Sequence, residues 1–210
     1  MRIAFLPALF LITSVTNAAI PVDGWYSSLF GGYAYVPANI NTAGITNTGY
    51  KSGYDVGGSI GFKGTPMRYE GQLTYIDAGL KKFTLNSVER TGVSGNSDAF
   101  LAMGNVYYDF NTTTPTLQPF LGVGIGYARV HAKLNSTGPF GATQYSGSNN
   151  VFAYQGTAGL TYNIAPNYAI NAGYRYIATK HVRSLGKSFQ ASLANLGVVY
   201  RFDHAGVVAK

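Results

Sequence analysis

Residues 100–128 read FLAMGNVYYDFNTTTPTLQPFLGVGIGYA and contain two alternating segments, joined by a short polar connection with one proline. In residues 100–110 the even positions are apolar, aromatic or glycine, whereas the odd positions include Asn105 and Asp109. In residues 121–127 large apolar side chains alternate with glycine. Because successive side chains of a strand point to opposite faces, this period of two predicts two β-strands, each with one apolar face. The short connection predicts that the two strands form a hairpin.

The same period of two recurs after residue 24 and predicts eight strands. The eight segments are 25–36, 50–63, 68–76, 100–110, 121–127, 154–162, 170–176 and 195–202. Three of the connections are short and contain proline, namely 64–66, 111–116 and 163–167. The other four are long and polar, namely 37–49, 77–98, 129–150 and 178–187.

An even number of strands, with short turns at one end and long loops at the other, is typical of bacterial outer-membrane barrels. In hydrocarbon only a closed barrel gives every backbone amide and carbonyl a hydrogen-bond partner. We therefore expect residues 25–36 to pair with residues 189–202. The predicted fold class is all-β: an eight-stranded antiparallel transmembrane up-and-down β-barrel with short periplasmic turns and four longer extracellular loops.

The main alternative is a soluble sandwich or a lipocalin-like barrel, whose apolar face would carry Leu, Ile and Val throughout. In this chain Tyr and Phe cluster at the ends of the apolar faces, as they do in the interfacial girdles of membrane barrels. The girdle residues beside the short turns are Tyr107, Tyr108, Phe110, Tyr162, Tyr200 and Phe202. Those near the long loops are Tyr54, Tyr75, Tyr127, Tyr154 and Tyr176. The aromatic pattern therefore favours the membrane barrel.

The first residues have the layout of a secretory signal peptide, with Arg2, an apolar run over residues 3–12, and small residues before a cleavage site at Ala19. The apolar run is too short to span a bilayer as a helix. We expect a signal peptide at 1–18, the outer-membrane β-barrel at 19–202 and a short C-terminal tail at 203–210. Export to a Gram-negative envelope fits the absence of cysteine, because unpaired thiols are a hazard there.

The inward faces of the predicted strands carry charged residues. The four cations and three anions are Lys63, Arg68, Arg175 and Arg201, with Asp55, Glu70 and Asp109. Side chains fill the lumen of an eight-stranded barrel, and an isolated buried ion costs several kcal/mol, so these charges have to pair or find water. We expect a lumen charge cluster near the short turns, in which Glu70 meets Arg68, Arg175 or Arg201. Its predicted members are Lys63, Arg68, Glu70, Asp109, Arg175 and Arg201.

The three loops after the first carry eight basic residues and three acidic ones. We call the basic set the basic loop rim: Lys81, Lys82, Arg90, Arg129, Lys133, Lys180, Arg183 and Lys187. A basic surface attracts polyanions, so the expected partners are outer-membrane lipid and lipopolysaccharide, and beyond them a host glycan or matrix protein. Nucleic acid is not expected, because no basic groove with stacking aromatics is present. The protein is expected to be a monomer.

The sequence predicts no catalytic, cofactor-binding or metal-binding site. Residues 122–126 read GVGIG, but this spacing lies within a strand and lacks the helix that a dinucleotide loop requires. We expect these inward glycines to give room to larger lumen groups. His131, His181 and His204 are scattered and match no metal or hydrolase motif. No enzyme is expected, although a lipid hydrolase whose site assembles from distant strands is kept as an alternative.

Six stretches resemble one known family, the small porin-like outer-membrane barrels that include opacity-type adhesins and bacterial surface antigens. The stretches are MRYEGQLTY (67–75), FLAMGNVYYDF (100–110), LQPFLGVGIGYA (117–128), FAYQGTAGLTYNI (152–164), YAINAGYRYI (168–177) and NLGVVYRF (195–202). They cover most of the predicted strands and none of the long loops. The resemblance implies an eight-stranded barrel, surface exposure and, in some members, adhesion or antigenic variation. It carries no catalytic residue to this chain.

The leading hypothesis for function is an envelope scaffold and surface-exposed interaction protein, or adhesin, that acts through its basic extracellular loops. The alternative is a narrow porin-like ion channel, because glycine-lined stretches such as residues 122–126 could leave a thin wet path. A lipid hydrolase is the third hypothesis.

Overall fold

The computed structural model describes residues 23–36, 45–50, 53–85, 88–90, 93–112, 116–138, 141–182 and 187–202. The predicted signal peptide and C-terminal tail lie outside these residues, so both stay predictions. The described residues contain no helix that is long and apolar enough to cross a lipid bilayer. They form ten β-strands: β1 (Gly24–Tyr35), β2 (Ile45–Tyr50), β3 (Gly53–Gly64), β4 (Met67–Leu85), β5 (Val88–Arg90), β6 (Val93–Asp109), β7 (Leu117–Gly138), β8 (Gly141–Asn163), β9 (Tyr168–Val182) and β10 (Lys187–Arg201).

Eight of these strands, all except the short β2 and β5, form one antiparallel sheet that closes on itself. Their order around the wall is β1, β3, β4, β6, β7, β8, β9 and β10. The closing pair is β1 with β10, in which Tyr26 lies opposite Arg201 and Tyr35 lies opposite Ser192. The predicted eight-stranded barrel and its closure are therefore confirmed.

The bounds of the predicted long loops need correction, because strands continue through much of the described length of residues 77–98 and 129–150. β7 and β8 are 22 and 23 residues long and remain paired up to Gly138 opposite Gly141. β4 and β6 also run into the segment that was predicted as a loop, and β2 pairs with the outer part of β4. A membrane-spanning strand needs only about 9–11 residues, so β7 and β8 project well beyond the bilayer. Apolar and polar residues still alternate on β7 up to Leu134, but residues 141–150 read GATQYSGSNN and lack the period of two that identifies a half-buried strand.

The outward face of the wall is apolar, as the alternation predicts. Large aliphatic side chains on this face, such as Leu29, Val123, Ile125 and Leu196, are more than 60% exposed. In a closed sheet no second layer can cover them, so they face lipid. This arrangement excludes the soluble sandwich, whose apolar face would be buried.

The aromatic girdle beside the short turns is confirmed for four of its predicted members. Tyr108 and Phe110 are exposed with ring centroids 5.0 Å apart, and Tyr200 and Phe202 are exposed with centroids 5.5 Å apart. Tyr107 was wrongly assigned to this girdle. It occupies an odd position of β6, whose odd positions face the lumen, and it is buried.

Candidate functional site

The inner half of the lumen, next to the short turns, is organised around the carboxylate of Asp109 on β6. Lys63 Nζ lies 3.3 Å from Asp109 Oδ2, and Arg68 Nε lies 2.9 Å from Asp109 Oδ1. All three side chains are buried. The pairing register brings these three side chains together. Lys63 on β3 lies opposite Arg68 on β4, and β6, which carries Asp109, is the next strand of the wall. One carboxylate therefore compensates two buried cations.

Polar groups at the end of the wall complete this cluster. Lys63 Nζ also donates to Gln118 Oε1 at 3.2 Å. Arg201, on β10, donates to Asn163 Oδ1 at 2.7 Å and to the carbonyl oxygen of Pro166 at 3.2 Å. Arg201 is thus held by neutral oxygens of the neighbouring turn.

The Arg68 guanidinium lies between aromatic rings. Its carbon is 4.8 Å from the ring centroids of both Tyr107 and Phe120. Cation–π contacts of this kind stabilise a guanidinium that has left water. A Cβ at Gly122, opposite Tyr107 on β7, would overlap the Tyr107 ring, so only glycine leaves room for it. The prediction that inward glycines of residues 122–126 make room for lumen side chains is confirmed at this position.

Glu70 does not make the predicted ion pair with Arg68, Arg175 or Arg201. Its carboxylate accepts hydrogen bonds from the hydroxyls of Tyr26, at 2.8 Å, and Tyr107, at 3.4 Å. The prediction was wrong because Asp109 engages Arg68 and the two phenols occupy the Glu70 oxygens. The two phenols lie on other strands, Tyr107 on the adjacent β6 and Tyr26 on β1, so the alternation of one strand cannot identify them.

Arg175, on β9, lies deeper in the lumen than the Asp109 cluster. Its guanidinium carbon is 4.6 Å from the centroid of the Phe30 ring, and Nη1 donates to Thr74 Oγ1 at 3.4 Å. Among the described residues no carboxylate lies within ion-pair distance of it. The predicted lumen charge cluster is therefore split into the Asp109 group, the Glu70 phenol group and a separate Arg175.

A layer of side-chain amides lies beside Arg175. The side-chain amide of Gln72 lies within hydrogen-bond distance of Asn105, at 2.7 Å, and of Gln155, at 3.1 Å. Asn195 Nδ2 donates to Asp55 Oδ2. These residues lie on β3, β4, β6, β8 and β10, so the layer links most of the wall across the lumen. Sequence reasoning identified only the charged member, Asp55, because neutral amides on an inward face carry no distinctive signal.

A small polar cavity of about 50 Å³ separates the Glu70 and Arg175 groups. Its lining includes Arg68, Glu70, Asn171, Arg175 and Asn195. Arg175 Nε, Asn171 Oδ1 and Asn195 Oδ1 are buried there without a protein hydrogen-bond partner. A cavity of this size with polar walls accommodates a few water molecules, which is too little for a solute pore.

The outer half of the lumen, next to the long strand extensions, is filled by apolar side chains. This apolar plug consists of Ala34, Val36, Ile76, Ala99, Leu101, Met103, Ala128, Val130, Ala153, Ile177, Phe189, Ala191 and Leu193. Leu101, Ile177 and Leu193 are completely buried. Sequence reasoning missed the plug as a unit, although Leu101 and Met103 were placed on the inward face. The strands that line the plug carry apolar residues at the inward positions near their outer ends. This pattern in the sequence could have predicted the plug.

Two members of the basic loop rim, Arg129 and Lys180, have described side chains, and both are exposed. Lys180 Nζ lies 5.7 Å from the Phe152 ring centroid, and the Phe152 ring is 6.1 Å from that of Tyr127. These residues lie on adjacent strands where the apolar wall ends. Lys81, Lys82, Arg90, Lys133 and Lys187 lie in strands, but their side chains are outside what the structure describes, and Arg183 lies wholly outside the described residues. Whether the eight residues act together stays a prediction.

Comparison with known proteins identifies the family. Residues 5–202 match the family described as "Outer membrane protein beta-barrel domain". The chain belongs to this family. The barrel lies in the outer membrane of a Gram-negative bacterium. In barrels of this class the short turns are typically periplasmic and the longer connections extracellular.

Individual relatives in this family support the assignment. The outer membrane protein PagN of Salmonella typhimurium is 31% identical over 190 residues, which cover 85% of this chain and 75% of PagN. An outer membrane protein of Gluconacetobacter diazotrophicus is 29% identical over 207 residues; the match covers 82% of this chain and 53% of that protein, so the chain spans about half the length of this relative. Neisserial surface protein A has the same fold, with a TM-score of 0.59 and 19% identity over 85% of this chain and 97% of that protein.

Proposed function

We propose that this barrel is a non-enzymatic envelope scaffold and a surface-exposed interaction protein that binds polyanions through its basic loop rim. The observation that carries the proposal is the placement of Arg129 and Lys180. Both are exposed on the outer surface where the apolar wall ends, and Lys180 lies over the ring of Phe152. Basic and aromatic residues together at this level suit an anionic surface, which supplies phosphate or sulfate groups.

The charges of the rim support the same proposal. The predicted loop segments carry eight basic and three acidic residues, a surplus of five positive charges. Charged groups within about one Debye length of each other add their fields, so clustered cations attract a polyanion more strongly than a single cation does. Two sources offer this chemistry: the phosphates of lipopolysaccharide in the same membrane, and a sulfated glycan outside the cell.

Retention on immobilised heparin tests the proposal. We expect the purified barrel in a zwitterionic detergent to be retained and to elute at a higher salt concentration than the variant with Lys180→Gln, Arg183→Gln and Lys187→Gln. The matched control is Lys180→Arg with Lys187→Arg, which keeps the charge and should elute like the natural protein. If the glutamine variant is retained like the natural protein, Lys180, Arg183 and Lys187 do not contribute to polyanion binding.

The two polyanion sources are distinguished by competition. Lipopolysaccharide vesicles and soluble sulfated glycan are added separately to the heparin-bound protein. Release by the glycan at lower charge concentration than by the vesicles supports adhesion outside the cell. The reverse order supports anchoring in the outer leaflet.

The alternative function, a narrow ion channel, is opposed by the apolar plug. Ions would have to cross a dry segment lined by residues such as Leu101, Ile177 and Leu193, which provide no substitute for hydration. We expect planar bilayers that contain the purified protein to show no reproducible conductance steps in potassium chloride. Salt-dependent steps of constant size would instead support the channel.

A further inference from the structure

The small polar cavity beside Arg175 is bordered by two guanidinium groups whose hydrogen bonds are incomplete. Arg175 Nε is buried there without a protein partner. Arg68 lines the same cavity, and its Nη2 is also buried without a protein partner. Both side chains are less than a tenth exposed. Because a buried N–H group without an acceptor is unfavourable, an occupant of this cavity has to accept hydrogen bonds from guanidinium groups.

The charge at this cavity is positive. Arg68 and Arg175 each bring one positive charge to its lining, and Glu70 brings the one negative charge. The two Glu70 oxygens are engaged by the hydroxyls of Tyr26 and Tyr107. The Asp109 carboxylate is shared by Lys63 and Arg68. In the part of the chain that the structure describes, Arg175 therefore forms no ion pair with an acidic side chain.

The lumen as a whole carries the same surplus. Its charged side chains are Lys63, Arg68, Arg175 and Arg201 on the positive side, and Asp55, Glu70 and Asp109 on the negative side. These four cations and three anions leave a surplus of one positive charge. A lumen enclosed by lipid offers little water to screen such a charge, so a counter-ion stabilises the folded barrel. One monovalent anion brings the sum to zero.

The dimensions of the cavity suit a small ion. Its volume is about 50 Å³. A water molecule takes up about 30 Å³ in the liquid, so a halide ion with one or two water molecules fits and a sulfated or phosphorylated sugar does not. Ring contacts hold both guanidinium groups in place, since Phe30 lies 4.6 Å from the Arg175 carbon and Tyr107 lies 4.8 Å from the Arg68 carbon. The donors are thus preorganised for an ion.

The acceptors at the cavity are satisfied by water beside the ion. Asn171 Oδ1 and Asn195 Oδ1 are buried without a protein partner. A water molecule has two donors, so it can donate to one of these oxygens and to the anion at the same time. Water alone would complete the hydrogen bonds but would leave the positive surplus without a counter-charge. An anion with water satisfies both requirements.

We infer that the cavity beside Arg175 binds one small monovalent anion, chloride in the cell, between the guanidinium groups of Arg68 and Arg175. The ion is the counter-charge of the inner half of the lumen. It does not pass through the barrel, because the apolar plug closes the lumen on the outer side. This inference goes beyond the proposed function, since the site is buried inside the barrel and is separate from the basic loop rim.

Crystals of the purified protein, refolded and grown in sodium bromide, test the inference directly. Bromide replaces chloride and is located by its anomalous scattering. We expect an anomalous peak inside the cavity, in contact with Arg175 Nε and with the Arg68 guanidinium. Bromide at exposed cations only, with water alone in the cavity, would overturn the inference.

Urea unfolding from lipid vesicles gives a thermodynamic readout. A ligand that binds only the folded state raises stability with its concentration. We expect the urea midpoint of the natural protein to rise as chloride replaces gluconate, an anion too large for the cavity, at constant ionic strength. A midpoint that is independent of chloride would contradict the inference.

Two variants of the cavity give opposite predictions in this titration. Arg175→Gln removes a positive charge and keeps a hydrogen-bonding side chain, so its midpoint should no longer depend on chloride. Glu70→Gln removes the negative charge and keeps an oxygen acceptor for the phenols, so its half-saturating chloride concentration should fall about tenfold. Changes of the same sign in the two variants would overturn the inference, because damage to the packing of the lumen does not strengthen binding.

The matched control is Arg175→Lys, which keeps the positive charge and should retain the dependence on chloride. Its loss in Arg175→Lys and Arg175→Gln alike, together with no change in Glu70→Gln, would show that the charge of the cavity is not responsible. If Arg175→Gln does not fold, the bromide crystals and Glu70→Gln still decide the question. Heparin retention of each variant should equal that of the natural protein, so failure here and failure of the proposed function are separate results.

Discussion

Asp109 is the residue on which the inner half of the lumen depends most. It is buried, and it lies within 3.3 Å of Lys63 and 2.9 Å of Arg68. Removing one partner of a buried ion pair leaves an uncompensated charge, which typically costs about 3–5 kcal/mol. We expect Asp109→Asn to lower the free energy of unfolding by this amount. Urea unfolding from lipid vesicles, followed by the fluorescence of Trp25, the one tryptophan of the sequence, measures it.

Asp55 provides the control for this experiment. It is also a buried lumen carboxylate, but its hydrogen bond comes from the neutral amide of Asn195, and no described cation lies within ion-pair distance. Asp55→Asn should therefore cost only about 1 kcal/mol. Equal losses in the two variants would show that burial alone, and not the shared ion pair, makes Asp109 important.

Two glycines of neighbouring strands give opposite predictions. A Cβ at Gly122 would overlap the Tyr107 ring in the lumen, whereas a Cβ at Gly156, on the outer surface, would meet nothing within 4 Å. Overpacking a filled interior costs roughly 1–3 kcal/mol, so Gly122→Val should lower the unfolding free energy by that amount. Gly156→Val should leave it unchanged or raise it slightly, since valine suits a lipid-facing strand. The same urea experiment compares both, and a loss at Gly156 would contradict the inward and outward assignment.

The residue scale also shows how far the candidate site could be predicted from the sequence. The alternation placed Lys63, Arg68, Asp109, Arg175 and Arg201 in the lumen, because a period of two leaves each position only one face. It did not identify their partners. Glu70 bonds to Tyr26, which lies 44 positions away in the sequence, and such a contact depends on the closure of the barrel and on side-chain rotamers.

The outer hairpin of β7 and β8 is the element that departs most from expectation. Residues 129–150 are polar and contain glycine and a proline, which are features of a loop, yet the ladder continues from Arg129 opposite Asn150 to Gly138 opposite Gly141. Outside the bilayer neither face has to be apolar, so residues 141–150, GATQYSGSNN, show no alternation although the backbone of β8 stays paired with β7. The length of a strand in such a region depends on its pairing with the neighbouring strand. The residue pattern of one segment carries no information about that pairing.

Because the hairpin projects beyond the wall, the barrel should fold without it. We expect a variant that replaces residues 133–146 by a two-residue Asn-Gly turn to change the unfolding free energy by less than about 1 kcal/mol, since the lipid-facing pairs below it are intact. The migration of unheated and heated samples in detergent gels measures the folded fraction. The control deletes residues 124–125 together with 154–155, which shortens the same two strands inside the bilayer and should prevent folding. Loss of folded protein in the first variant would place the hairpin in the folding core.

The whole molecule has a defined direction across the membrane. Short turns such as Thr65 and Pro66 lie at one end and the hairpin of β7 and β8 lies at the other. The sequence contains no cysteine, so a single introduced cysteine reports its own side of the membrane. A membrane-impermeant maleimide should label Ser148→Cys on intact cells, and Thr65→Cys only after the outer membrane is permeabilised. Labelling of both variants on intact cells would contradict the orientation.

At this scale the fold was predictable and the filling of the lumen was not. The number of strands, the closure of β1 with β10 and the lipid-facing surface follow from the alternation and from the need to pair every backbone group in hydrocarbon. The division of the lumen into a polar inner half and an apolar outer half arises when inward residues of the strands meet at the same height. Which inward residues share a height depends on the stagger between neighbouring strands. The sequence of a single strand does not contain that information.

The apolar plug has a consequence for the cell that displays this protein. Any open pore adds to the leak of the envelope in proportion to the number of copies, so abundance and permeability rise together. A lumen sealed by Leu101, Ile177 and their neighbours breaks that link. If the barrel conducts nothing, as we propose, the bacterium can display many copies of these hairpins without an added leak of small solutes.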